Sequence, residues 1–187
     1  MFHRLSHLLA ATAGAAVLVV AAPASAGAAP SNCPGADALP TPSTLSTARS
    51  ATLCLLNGVR RAHGLRPLHA NRRLRRAADR YSRQMVHQSF FNHVSPAGST
   101  LVSRVRATRY LHSAGSWSLG ENIAWGSGHF ATPRDTVTMW MHSAGHRHNI
   151  LTPRFREIGI GIAVGAPVRA VAGLPAATYT TDFGSRR

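Results

Sequence analysis

The chain has 187 residues, and its 21 basic residues are all arginine, against six acids, which gives a formal net charge of +15. This length limits the folded part to one domain with a single sizeable core. The charge points to anionic partners such as polymers or lipid head groups, although a biased genome composition would also enrich arginine. The sequence holds no glycine-rich phosphate loop, no CxxC pair and no EF-hand pattern, which excludes the binding classes that depend on those motifs.

Residues 1–26 are typical of a secretory signal peptide. Arg4 lies in a short polar region, an apolar run extends from Leu8 to Val20, and Ala24-Ser25-Ala26 is a small-residue cleavage pattern. The apolar run is shorter than the about 20 residues that a membrane span needs; an uncleaved anchor is the alternative. We therefore expect a secreted, extracellular monomer with a linker or loosely attached arm at 27–46, a folded domain at 47–187 and no transmembrane segment after signal cleavage.

Hydrophobic periodicity predicts helices first and strands last along the folded part. Asn71 and Thr132 are typical N-caps, and Gly159 and Gly161 alternate with isoleucine in a strand pattern that leaves room for close packing on one face. The predicted helices cover 50–63, 71–87, 99–106 and 132–145, and the predicted strands cover 158–164 and 178–183. This order predicts an α+β fold with an antiparallel sheet.

The helix predicted over 71–87 has two chemically distinct faces. Its apolar residues fall on one side at 100° per residue, and the arginines at positions 72, 73, 75, 76, 80 and 83 fall on the other. A solvated face and a surface that binds polyanions are both consistent with this pattern.

The two cysteines, Cys33 and Cys54, are predicted to form a disulfide, because an isolated pair in an exported chain is more often bonded than free. Such a bond ties the N-terminal arm to the first helix. A catalytic thiol is disfavoured because Cys54 falls in the apolar stripe of that helix.

The residues that can carry chemistry are His93, Glu121 and His146. Two imidazoles and a carboxylate are a ligand set for a divalent metal such as zinc, with one position open to water. A metal pair of His142 with His146 is an alternative that Gly145 disfavours, because it breaks the helix between them. A second alternative is a catalytic triad in which Ser143 is the nucleophile, His146 the base and Glu121 the residue that orients the base. The strained turn that usually surrounds such a serine is missing from the sequence.

An ordered series of motifs resembles one family, the CAP superfamily of cysteine-rich secretory proteins, antigen 5 and pathogenesis-related 1 proteins, in its bacterial branch. The match covers about residues 53 to 183. The motifs are Leu56-Asn57-x-x-Arg60, Gly64-Leu65-x-Pro67-Leu68, Asn71-x-x-Leu74-x-x-Ala77-Ala78, Phe91-x-His93-x-Ser95-Pro96, Gly120-Glu121-Asn122-Ile123-Ala124, Trp140-Met141-x-Ser143-x-Gly145-His146-Arg147-x-Asn149-Ile150-Leu151 and Phe155-x-Glu157-Ile158-Gly159-Ile160-Gly161.

The resemblance implies an α-β-α sandwich with a small antiparallel central sheet, an extracellular location and a cleft that holds two histidines and two acids. In some members this cleft binds zinc or another divalent ion. His93, Glu121 and His146 match three of the cleft positions, and Ser143 stands where eukaryotic members have the second acid. Glu157 is a candidate to replace that acid in space.

Three functions remain open at this stage. The first is a non-enzymatic binding module for lipid or for anionic cell-envelope polymers, with nucleic acid not excluded, that uses the cleft and the arginine face. The second is a metal-assisted hydrolase in which Glu121 is a metal ligand or the general base. The third is a structural domain whose cleft groups only bond to each other. Fold alone does not decide among them.

Overall fold

The computed structural model describes residues 32–168 and 173–187, so the predicted signal peptide lies outside the described residues. The helices in these ranges are α1 Leu45–Ala62, α2 Arg72–His87, α3 Leu101–Ala107, α4 Pro133–His142 and α5 Ala144–Leu151. The predicted N-cap of α2 is confirmed, because Asn71 accepts hydrogen bonds from the backbone N–H groups of Arg73 and Leu74. None of the helices described is both long and apolar enough to cross a membrane.

The strands are β1 His69–Ala70, β2 Trp117–Ser127, β3 Glu157–Val164 and β4 Ala176–Arg186, arranged in the order β1-β3-β4-β2. The three long strands pair antiparallel, with Glu121 of β2 opposite Asp182 of β4. The predicted antiparallel sheet is therefore confirmed for its long strands. The two-residue β1 adds a parallel edge that sequence did not indicate.

Helices cover both faces of this sheet. On one face α2 lies directly against β3, and a Cβ added at Gly159 or Gly161 would approach the backbone of Leu74 or Ala78 to 2.0 or 2.2 Å. The predicted close packing over these glycines is confirmed. On the other face, α1, α4 and α5 pack on the buried isoleucines and aromatics of β3 and β4. The α-β-α sandwich is thus the observed fold.

Two predicted helix boundaries differ from the structure by three residues or more. Helix α1 begins at Leu45, five residues before the predicted start at Ser50. The helix that was expected to end near Gly145 ends at His142, because Ser143 is extended (φ −100°, ψ 122°), and Gly145 lies inside α5. The break therefore falls one turn earlier, and His142 and His146 belong to different helices.

The N-terminal arm is anchored to the domain. Cys33 and Cys54 form the predicted disulfide, with their Cα atoms 5.8 Å apart. Ala36 is buried in the main core, and its carbonyl accepts a hydrogen bond from the backbone N–H of Arg134. The described part of the segment predicted as linker or loosely attached arm is thus packed against α1 and α4, while the division at residues 26 and 46 stays a prediction.

Candidate functional site: an arginine-bridged cleft and a basic face

Glu121 lies in the middle of β2 and is the centre of a buried charged cluster. One of its carboxylate oxygens, Oε1, is 2.8 Å from Nδ1 of His93, and the other, Oε2, accepts a hydrogen bond of 2.6 Å from Arg104. The Glu121 side chain is only 3% exposed, whereas that of His93 is 54% exposed. Two predicted cleft residues are therefore in contact, and His93 connects the buried carboxylate with solvent.

Arg104 of α3 holds this cluster together. Its Nη1 donates to the backbone carbonyls of His93 (3.2 Å) and Ser99 (2.8 Å), which fixes the loop that carries His93. Its guanidinium carbon lies 3.3 Å from the centre of the Tyr81 ring, a stacked cation–π contact. Tyr81 in turn donates a hydrogen bond to the carbonyl of Asn92. Sequence reasoning did not identify Arg104 or Tyr81 as cleft residues.

Asp182 is a second acid of the cleft that sequence reasoning also missed. It lies opposite Glu121 in the β2–β4 register, so both side chains project from the same face of the sheet. Asp182 is fully buried, and neither of its carboxylate oxygens has a hydrogen-bond partner among the described residues. Burial first, and then the negative charge of Glu121, raise the pKa of Asp182 well above its usual range.

His146 is placed by a network of asparagines that joins α5 to β2. Asn122 donates to the carbonyl of His146 (3.1 Å), while Asn149 donates to the carbonyl of Glu121 (3.0 Å) and to the side chain of Asn122 (2.9 Å). The Nδ1 atom of His146 is buried without a partner in the described part of the chain. Burial and the nearby charge of His93 lower the pKa of His146, which favours its neutral form.

The C-terminal end of α5 is held by a buried arginine of α1. Arg60 is fully buried, and its guanidinium donates to the backbone carbonyls of residues 66, 150, 152 and 155. These bonds satisfy carbonyls that the end of α5 would leave free. The motif arginine therefore fixes the helix that carries His146 and takes no part in the cleft.

The other sequence candidates lie outside this cluster. Ser143 is half-buried between α4 and α5 and makes no side-chain cap to α5. His142 is exposed, with its Nδ1 bonded to the carbonyl of Thr138. Glu157 does not replace the missing acid, because its two oxygens accept hydrogen bonds from Asn71 and Tyr110, each at 2.7 Å. The acid nearest to Glu121 in the sheet register is Asp182, not Glu157.

As placed, the donor groups do not fit a divalent metal. In ranges 32–168 and 173–187, no group of three or more His, Cys, Asp or Glu side chains is arranged to hold an ion. Both oxygens of Glu121 are already paired, one with His93 and one with Arg104, so a zinc ion bound at about 2.0–2.2 Å would have to share an oxygen with one of these partners. Metal binding by His93, Glu121 and His146 stays a sequence prediction that these contacts do not favour.

The second feature is a basic face formed by the α2 arginines 72, 73, 75, 76, 80 and 83, all of which are exposed. At one end of this face an open pocket of about 320 Å³ lies between α1, α2 and the β3 edge of the sheet. Arg49, Arg72 and Arg75 line the pocket, and Leu53, Ile158 and Ile160 add apolar lining. We call the six α2 arginines and Arg49 the arginine face.

A smaller pocket of about 130 Å³ continues the arginine face along α2. It is lined by Arg72, Arg75, Arg76, Arg83 and Asp79, and the first two of these also line the larger pocket. Asp79 lies 3.5 Å from Arg49. Burial is the main cause of a raised pKa for Asp79, opposed by the positive charges of Arg49, Arg75 and Arg83. The acid on this face is thus surrounded by guanidinium groups.

Comparison with known proteins agrees with the fold and with the motif order. The family model described as "CAP: Cysteine-rich secretory protein family" matches residues 53–180, more than half of the chain. The chain belongs to the CAP family. The resemblance predicted from the motifs is thereby confirmed, and we refer to the cluster around Glu121 as the cleft of this CAP chain.

Curated bacterial proteins are among the relatives of this chain. The chain is 34% identical over 120 residues to the uncharacterized protein YkwD of Bacillus subtilis (strain 168), a match that covers 64% of this chain and 44% of YkwD. It is 27% identical over 117 residues to the uncharacterized membrane protein YlbC of the same organism, covering 63% of this chain and 32% of YlbC. The chain thus spans less than half the length of these curated relatives.

Two solved structures share the fold. An extracellular protein containing a SCP domain from Bacillus anthracis str. Ames superposes with a TM-score of 0.56 at 25% identity, over 77% of this chain and 44% of that one. An outer surface protein of Borrelia burgdorferi has a TM-score of 0.60 at 17% identity, over 77% of this chain and 96% of that one. The second similarity concerns the fold alone.

Proposed function

We propose that this CAP protein is a secreted, non-enzymatic binding module that holds anionic polymers of the cell envelope on its arginine face. The observation that carries the proposal is the convergence of exposed arginines from α2 and the half-buried Arg49 of α1 around an open pocket with partly apolar walls. Arginine presents a planar fork of donors that pairs with phosphate or carboxylate groups in a bidentate way. A row of such groups matches a polymer with regularly spaced negative charges better than it matches a single small ligand.

The charge balance of α2 supports this proposal. Its sequence contains six arginines and one acid, Asp79. The positive charges of nearby guanidinium groups act on this acid and favour its ionised form. Six like charges on one helix repel each other unless counterions or an anionic ligand compensate them. A polymer that releases those counterions would bind with a strong dependence on salt.

The proposed location outside the cell has two independent supports. The disulfide between Cys33 and Cys54 is typical of an oxidising compartment. One structural relative is described as an extracellular protein. The signal peptide predicted over residues 1–26 would provide the route of export.

The metal-assisted hydrolase is the weaker candidate. It requires Glu121 as a metal ligand or general base, and both Glu121 oxygens are engaged by His93 and Arg104. A general base must lie within hydrogen-bond reach of the proton that it takes, and the Glu121 side chain is only 3% exposed. No specific contact of the cleft favours hydrolysis over binding.

Binding of a fluorescent polyphosphate chain tests the arginine face. The α2 variant Arg72→Gln/Arg75→Gln/Arg76→Gln should bind about tenfold more weakly than wild type, because it removes three guanidinium groups that line the two pockets of this face. The control variant Arg61→Gln/Arg147→Gln/Arg154→Gln removes the same charge from exposed arginines elsewhere and should change affinity by less than about twofold. Equal losses in the two variants would show that net charge, not this face, determines binding.

Vesicles of phosphatidylglycerol and a single-stranded oligonucleotide, tested in parallel, distinguish a polymer from a lipid or nucleic-acid ligand.

A further inference from the structure

The CAP cleft of this chain contains a positively charged side chain, that of Arg104, beside Glu121. The Arg104 side chain is 8% exposed and donates to the Glu121 carboxylate at 2.6 Å. Its remaining contacts are two backbone carbonyls and the face of Tyr81. A guanidinium with four such partners is fixed in place, since each contact would have to be broken for it to move away.

The position of this cation bears directly on metal binding. An ion that coordinated Oε2 of Glu121 would have to share this oxygen with the Arg104 guanidinium, and an ion on Oε1 would have to share that oxygen with the His93 imidazole. In either position it would lie beside a guanidinium charge in a buried, weakly screened environment. Metal binding at Glu121 therefore competes with Arg104 for the same carboxylate.

We propose that Arg104 is a built-in cation that takes the place of a divalent ion in the CAP cleft, so that the cleft is charge-balanced without metal. Glu121 then serves to orient His93 and to anchor α3, and the cleft histidines are held for contacts other than metal coordination. This inference is independent of the arginine face, because Arg104 lies on α3 and is buried between α2 and β2.

The first test is calorimetric titration with zinc chloride of wild type and of the variant His93→Ala/His146→Ala. The proposal predicts that wild type and the variant bind zinc with the same affinity and stoichiometry, because any zinc bound by wild type is held by surface histidines outside the cleft. Loss of a zinc site on removing the cleft histidines would overturn the proposal.

The second test removes the built-in cation. Arg104→Gln should bind zinc with a dissociation constant at least about tenfold lower than wild type, and adding His93→Ala should abolish the gain. Arg104→Lys, which retains the charge, and Arg106→Gln, an exposed neighbour on α3, should behave like wild type. A folded Arg104→Gln protein whose zinc affinity equals that of wild type would contradict the role given to Arg104. If circular dichroism shows that Arg104→Gln does not fold, the comparison in the first test decides alone.

Discussion

Glu121 and Asp182 are adjacent acids on neighbouring strands, and their buried carboxyl groups are accommodated in different ways. Glu121 is paired with Arg104, whereas Asp182 has no partner among the described residues and has a raised pKa. Two buried carboxylates in contact cannot both carry a full charge without a large penalty. At the scale of single residues, the cleft thus combines one ion pair with a buried acid whose pKa is raised.

Asp182→Asn should stabilise the protein in a manner that depends on pH. Below about pH 4 the aspartate is protonated in both the folded and unfolded states, so the two chains should melt alike. As pH rises above that value the unfolded wild type loses its proton before the native state does, and native stability falls. The melting temperature of Asp182→Asn relative to wild type should therefore rise between pH 4 and pH 8.

Asp37→Asn is the control for this series. Its hydrogen bond with Arg134 lowers the pKa of Asp37, so the substitution should change stability in the opposite sense. The effect should be small because Asp37 is exposed and its ion pair is screened. A pH-independent difference between Asp182→Asn and wild type would mean that Asp182 is ionised in the native state.

The cleft could be predicted from the sequence only in part. His93 and Glu121 follow from the motifs, and their contact at 2.8 Å confirms that they meet. Arg104 is one arginine among 21 and has no local pattern that separates it from the exposed ones. Asp182 lies in a segment that was predicted as a strand, but its partner across the sheet could not be known without β2.

At the scale of elements, α5 depends on bonds to two neighbours. Asn122 and Asn149 join it to β2, and Arg60 joins its C-terminal end to α1. Helices of eight residues have little stability by themselves, so these bonds fix the position of His146.

Arg60→Met should lower the free energy of unfolding by about 3 kcal/mol, because several buried carbonyls at the end of α5 would lose their donor. Urea denaturation measures this loss. The matched control is Arg61→Met, since Arg61 follows in the same helix and is exposed, and its effect should be within about 0.5 kcal/mol. Similar losses in both variants would contradict the role of Arg60 as an anchor of α5.

Gly161→Ala tests the contact between α2 and β3. The added methyl would lie 2.2 Å from the backbone of Ala78, so helix and strand would have to separate, at a cost of about 3 kcal/mol. Gly145→Ala is the control, because nothing lies within 4 Å of its Cβ position and it is inside α5. Gly145→Ala should be neutral or stabilising by up to about 1 kcal/mol, and thermal melts that fail to separate the two variants would contradict the close packing.

Elements with strong local signals could be predicted from the sequence, and β2 could not. Helices α2 and α4 have N-caps and apolar stripes that agree with the structure. Strand β2 contains Gly120, Glu121, Asn122 and Gly126, residue types that are depleted in strands, and its stability comes from pairing with β4. The break between α4 and α5 was misplaced because Gly145 is a stronger local signal than Ser143, whose extended backbone ends the helix.

At the scale of the whole molecule, the cleft and the arginine face are separate. The Glu121 cluster joins β2, α2 and α3 around the Arg104–Glu121 ion pair, whereas the arginine face lies at the β3 edge of the sheet. A ligand on the arginine face would therefore leave the Glu121 cluster uncovered. The net charge of +15 draws anions to the molecule as a whole, so only a comparison of local variants shows where they bind.

The salt dependence of polyphosphate binding tests the central claim most directly. The logarithm of the affinity of wild type should fall linearly with the logarithm of the salt concentration, and the slope should become shallower by about two to three in Arg72→Gln/Arg75→Gln/Arg76→Gln. The variant Arg61→Gln/Arg147→Gln/Arg154→Gln should keep the wild-type slope. Binding that is indifferent to salt, or the same slope in all three proteins, would contradict an anionic ligand on the arginine face.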